Sequence, residues 1–164
     1  MKTILQVVLF LSILIINVES YPQLINNFSD FPWKSSKENV MSLMHGLDFV
    51  KLNSEGGDFI VFENGIFGDF PVKYWDYRFY NDSLYSVIIV IDSTTIYDTL
   101  KIENLKNFVR QQHIVPFGNS VLKLDYNWLL SDVSGNLIGI IDIESNPTLT
   151  FGNRIRVVFR YYPL

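Results

Sequence analysis

The chain has 164 residues, thirteen basic and seventeen acidic side chains for a net charge of −4, and no cysteine. That length fits one domain able to bury a real core. The acidic balance argues against nucleic acid, whose phosphates need a basic surface field. The missing cysteines exclude a disulfide framework and lipid attachment through a thiol. Thirteen Phe, nine Tyr and three Trp must then carry much of the apolar burial.

Met1 to Ser20 has the three parts of an export signal: Lys2, an apolar run from Ile4 to Ile16, and a polar end with small residues at Val18 and Ser20. The run is shorter than the roughly 20 residues needed to span a bilayer. The expectation is a signal peptide over 1–20 and a single α+β domain over 21–164, periplasmic or secreted, with no transmembrane span in the mature chain. Its net charge is still −4 after cleavage, since one Lys and one Glu leave together.

Tyr21 to Lys34 reads as an irregular lead-in that docks through Phe28, Phe31 and Trp33. Ser35-Ser36-Lys37-Glu38 has capping-box spacing, and Val40, Leu43, Met44 and Leu47 then share one helical face up to a glycine stop at Gly46. Strands follow. Asp48 to Leu52 leads to a turn at Gly56-Gly57, and Asp58 to Glu63 to a hairpin signal at Asn64-Gly65. Asp69 to Tyr80 alternates with aromatics on both faces, Asn81-Asp82-Ser83 turns the chain, and Leu84 to Ile91 is apolar enough for a central strand. Ile96 to His113 carries Ile102, Leu105, Phe108 and Val109 at helical spacing, ending at Pro116 and Gly118. Leu122 to Leu130, Leu137 to Ile143, Thr148 to Phe151 and Arg154 to Tyr162 complete the strands, with turns at Ser134-Gly135-Asn136 and Gly152-Asn153. The last strand puts Ile155, Val157, Phe159 and Tyr161 on one face and Arg154, Arg156, Val158, Arg160 and Tyr162 on the other. The predicted architecture is a twisted antiparallel sheet with two helices packed on one face.

Chemistry-bearing patterns are sparse. His45 and His113 lack metal-ligand spacing and read as helix-end residues that complement the dipole; no metal or cofactor is expected. No G-x-S-x-G elbow occurs. Asp76 and Asp142 interrupt apolar strands, so they are either a carboxylate pair for acid-base hydrolysis or structural partners of arginines. Arg154, Arg156 and Arg160 form a stripe suited to an anion, though such charges ordinarily mark exposed or edge strands. Trp75, Tyr77, Phe79, Tyr80 and Tyr85 are the densest aromatic cluster, either core or a stacking platform for sugars or peptide side chains. Asn27-Phe28-Ser29 and Asn81-Asp82-Ser83 match glycosylation acceptors.

Phe31-Pro32-Trp33-Lys34-Ser35-Ser36-Lys37-Glu38-Asn39-Val40 resembles the F-x-x-x-W-G-[ST]-x-x-E-V lead-in of small exported bacterial α+β proteins, with Leu84-Tyr85-Ser86-Val87 and Tyr126-Asn127-Trp128 in comparable order. Lys34 stands where that pattern has glycine, and Ile114-Val115-Pro116-Phe117-Gly118 replaces its Y-G-x-P. The resemblance implies a periplasmic or secreted α+β domain and supplies no catalytic residues. The function expected is a non-catalytic binding or envelope-assembly module, its ligand-binding residues drawn from Trp75, Tyr77, Tyr80, Tyr85, Arg154, Arg156 and Arg160 and its partner another exported or envelope protein. A carboxylate-dependent hydrolase and a structural envelope protein are the alternatives.

Overall fold

The computed structural model describes residues 31–47, 49–92, 99–115, 121–124, 126–146 and 154–162. In chain order these form α1 (Lys37–His45), β1 (Lys51–Glu55), β2 (Phe59–Glu63), β3 (Ile66–Phe67), β4 (Phe70–Tyr80), β5 (Ser83–Ile91), α2 (Thr99–Val109), a π-helical turn (Arg110–Ile114), β6 (Val121–Leu124), β7 (Asn127–Ser131), β8 (Leu137–Asn146) and β9 (Arg154–Tyr161). Eight strands lie in the order β1-β2-β4-β5-β9-β8-β7-β6, with β3 also pairing β4. Every pairing is antiparallel. The α+β class with an antiparallel sheet and two helices is as expected. Among the described residues no helix is long and apolar enough to cross a membrane.

Both helices pack on one sheet face because alternation places Trp75 and Tyr77 of β4 on that side. Met44 of α1 accepts a hydrogen bond from the Tyr77 hydroxyl at 3.2 Å. Phe108 of α2 meets Phe67 edge-on at 5.0 Å, and Phe67 meets Trp75 at 6.3 Å. Phe31 docks on Phe159 at 4.7 Å and Trp33 stacks on Tyr161 at 5.6 Å, so the lead-in seals the same face. Deprived of water, the Tyr77 phenol has its pKa pushed up.

Several local expectations change. The α1 cap is Ser36, accepting from Asn39 N–H, and its other acceptor is Asp82 of the β4–β5 turn, which takes the Lys37 N–H at 3.0 Å in place of Glu38. Gly46 ends the helix at φ −70° without entering the left-handed region, and Leu43 is exposed. Leu122 to Leu130 is two strands, β6 and β7, folded into a hairpin. The final strand, read as having one core face and one solvated face, is central: β9 lies between β5 and β8. The stretch 1–20 expected to be a signal peptide, Phe28, Pro116, Gly118, Thr148 to Phe151 and Gly152-Asn153 lie outside the described residues.

Asn64-Gly65 is a kink between two strands that both pair β4, since β2 covers Arg78 to Tyr74 and β3 covers Pro71 to Phe70. The chain reverses at Gly68-Asp69 instead. Gly65 takes φ +120°, and a Cβ there would sit 2.8 Å from Trp75 Nε1. That indole donates to the Asn64 carbonyl at 2.9 Å, so the kink satisfies the only polar atom of a buried tryptophan. Gly65→Ala is therefore expected to destabilise the fold by about 1–3 kcal/mol in urea unfolding, from backbone strain and a displaced indole. An unchanged midpoint would show that the kink relaxes freely.

Candidate functional site

A recess opens where the β5–β9 ladder ends. The two strands are paired from Val90–Arg156 to Ser86–Arg160 and no further. Beyond that point β4 and β5 shift register, Arg78 facing Ser86 and Phe79 facing Leu84, so Tyr85 is the extra residue of a bulge. Leu84 then turns its backbone to the lead-in: its carbonyl accepts from Lys34 N–H at 3.0 Å and its N–H donates to the Ser35 carbonyl at 2.9 Å. Meanwhile β9 stays with β8, the Tyr162 N–H donating to the Ile138 carbonyl at 3.0 Å. The strands part because the lead-in takes the backbone of Leu84, while β9 continues along its other edge with β8.

The opening holds about 650 Å³, within the range of small-ligand sites, and is walled by Lys34, Tyr80, Asn81, Ser83, Leu84, Tyr85, Arg160, Tyr161 and Tyr162. Four of these are tyrosines and two are cations; none is acidic. Tyr80 is 70% exposed, Tyr85 38% and Tyr162 39%, so their rings face solvent. Lys34 Nζ lies 5.3 Å from the Tyr161 ring centroid. Its backbone sits at φ +65°, a left-handed conformation that costs a non-glycine residue about 1–2 kcal/mol. The two backbone bonds that Lys34 and its neighbour Ser35 make with Leu84 return about 1 kcal/mol each, so pairing offsets the strain.

The outer sheet face, opposite the helices, carries a charge ladder. One row runs Arg78, Ser86, Arg160, Ile140 across β4, β5, β9 and β8; the next runs Asp76, Ile88, Val158, Asp142. Arg78 donates to Asp76 at 2.7 Å and Arg160 to Asp142 at 2.8 Å. Arg156 and Arg160 also stand 4.0 and 3.9 Å from Glu144. The Asp76 hydrogen bond holds the Arg78 guanidinium above its usual pKa. Asp76 and Asp142 are three strand steps apart, about 14 Å, beyond the separations used in two-carboxylate hydrolysis. Each is held by an arginine, which is the structural alternative.

The sequence candidates therefore separate. Trp75 and Tyr77 are 0% and 1% exposed and leave the platform for the core, since alternation along β4 turns them toward the helices. Tyr80, Tyr85 and Arg160 meet in the recess. Arg156 stands with Glu144 on the outer face, and the side chain of Arg154 lies outside the described residues. Lys34, Tyr161 and Tyr162 were not among the candidates; the tyrosine pair closing the last strand was the sequence signal for the latter two, while the left-handed backbone of Lys34 shows in the structure alone. His113, read as a helix-end cap, is buried in the π-helical turn among Phe67, Phe108 and Phe159 at 5.3, 6.0 and 4.9 Å. His45 lies edge-on to Phe62. No group of three metal-ligating side chains occurs among the described residues. No protein-family model, curated protein or solved structure matches the chain.

Asp142 is 7% exposed, and its Oδ1 has no hydrogen-bond partner among the described residues. Lost hydration pushes its carboxyl above the usual range against the pull of Arg160, while Glu144 adds to the rise. A folded pKa above the unfolded one means that its contribution to stability is full at low pH and is lost as pH rises through the folded pKa. Asp142→Asn should accordingly gain stability over the parent at about pH 7 and lose that advantage on acidification below about pH 4, measured by denaturant unfolding across pH. The opposite slope would place the net interaction with Arg160 above the cost of burial.

Proposed function

We propose that the chain is an exported, non-catalytic binding module and that the recess between β5 and β9 is its ligand seat. The observation carrying this reading is a concavity whose wall, among the described residues, has four tyrosines, two cations and no acid. Exposed rings gathered in one opening are costly to leave against water unless something covers them. Their hydroxyls and the Asn81 and Ser83 side chains supply the polar groups that fix a ligand's orientation. The apolar run and polar end of residues 1–20 support export. Arginine partners and the wide spacing of Asp76 and Asp142 favour binding over hydrolysis.

Amide chemical-shift mapping tests the seat. The purified chain is titrated with neutral and uronate-bearing trisaccharides and with blocked tripeptides. At least one probe is expected to move the amides of Ser83 to Ser86 and Arg160 to Tyr162 together. Tyr85→Ala, a change at a partly exposed ring, should weaken that probe about tenfold, equivalent to ~1.4 kcal/mol. Shifts scattered elsewhere, or binding indifferent to Tyr85→Ala, would count against this seat.

A further inference from the structure

We propose that the recess takes an acidic glycan, its sugar rings lying on the tyrosine faces and a uronate carboxylate meeting Lys34. This rests on the recess being the ligand seat and adds the ligand's chemistry.

In a chain of net charge −4, the nine described wall residues include Lys34 and Arg160 and no Asp or Glu. The two cations are not equivalent. Arg160 already donates to Asp142 at 2.8 Å and lies 3.9 Å from Glu144, so its charge is largely met within the protein. Lys34 has no carboxylate within ion-pair distance among the described residues and is exposed. It is also held at φ +65°, where glycine would be unstrained. A strained backbone that brings an unmatched cation to the rim of a cavity is the arrangement expected of a ligand contact.

The rest of the wall separates a sugar from a peptide or an aliphatic ligand. Among its described residues Leu84 is the sole aliphatic one, beside four tyrosines. Tyrosine pairs a flat face for ring C–H groups with a hydroxyl that both donates and accepts, and a ligand without hydroxyls leaves such groups unpaired. Strand addition by a peptide is disfavoured as well. The Leu84 backbone, which an added strand would meet beside β5, is taken by Lys34 and Ser35.

The test is titration calorimetry of the purified chain with trigalacturonate, with neutral maltotriose and with a blocked Glu-Tyr-Glu tripeptide. Trigalacturonate is expected to bind at least about tenfold more tightly than maltotriose, and to weaken between 50 and 500 mM salt as screening shortens to a few Å. Lys34→Gly removes the cation while relieving the backbone, so it should retain the parent's unfolding midpoint or better and lose the preference for the acid. Lys34→Arg should keep that preference. Maltotriose binding as tightly as trigalacturonate, or the preference surviving Lys34→Gly, overturns the acidic ligand and leaves the recess standing as a sugar seat. Capture of the tripeptide alone overturns the glycan and retains the seat. No binding of any probe overturns both readings.

Discussion

Two hydrogen bonds between Leu84 and the Lys34–Ser35 segment decide where the sheet ends and where its opening begins. Had Leu84 continued its ladder with β9, the two strands would stay paired past Ser86 and Arg160 and the recess would not open. Taken by the lead-in instead, Leu84 holds Lys34 in a left-handed conformation at the rim. The same junction ties down α1: Asp82, in the turn just before β5, accepts from Lys37 at the helix start. Helix entry, hairpin tip and strand end thus meet at one place.

The fold can maintain that junction because one sheet face is buried under the helices in a mixed layer of aliphatic side chains and aromatic rings. Without cysteine, the chain relies on Phe31, Phe67, Phe108, Phe159, Trp75 and Tyr77 for the burial that cross-links supply in many small exported domains. Two polar groups in this layer are matched, the Trp75 indole to the Asn64 carbonyl and the Tyr77 hydroxyl to Met44. The opposite face alternates rows of arginine and aspartate, so the sheet is hydrophobic toward the helices and ion-paired on its other side. Central placement of β9 is what brings Arg160 both to Asp142 and to the recess.

Element types were largely legible because hydrophobic periodicity and turn chemistry are local. Asn81-Asp82, both at positive φ, makes the turn its residues call for. The α2 periodicity through Leu105 and Val109 marks its buried side. What escaped was non-local. Asn64-Gly65 has the composition of a hairpin, yet the need to satisfy a buried indole makes it a kink within a strand pair. Trp75 and Tyr77 belong to the same aromatic run as Tyr80, and which of them faces inward depends on where the helices pack. The recess is built from residues near 34, 80–85 and 160–162, and neither the bulge at Tyr85 nor the diverted bonding of Leu84 has a motif. The positive φ of Lys34 was equally hidden, because lysine itself gives no sign of it.

Amide hydrogen exchange at Lys34 and Leu84 tests the account most directly. Both N–H groups are donors in the junction, so both should exchange slowly and with similar protection. A cross-strand nuclear Overhauser contact is expected between the Lys34–Ser35 segment and Leu84, and none between Leu84 and Tyr162. Rapid exchange at Lys34 together with a Leu84–Tyr162 contact would mean that β5 and β9 zip closed, and the recess would be lost with it.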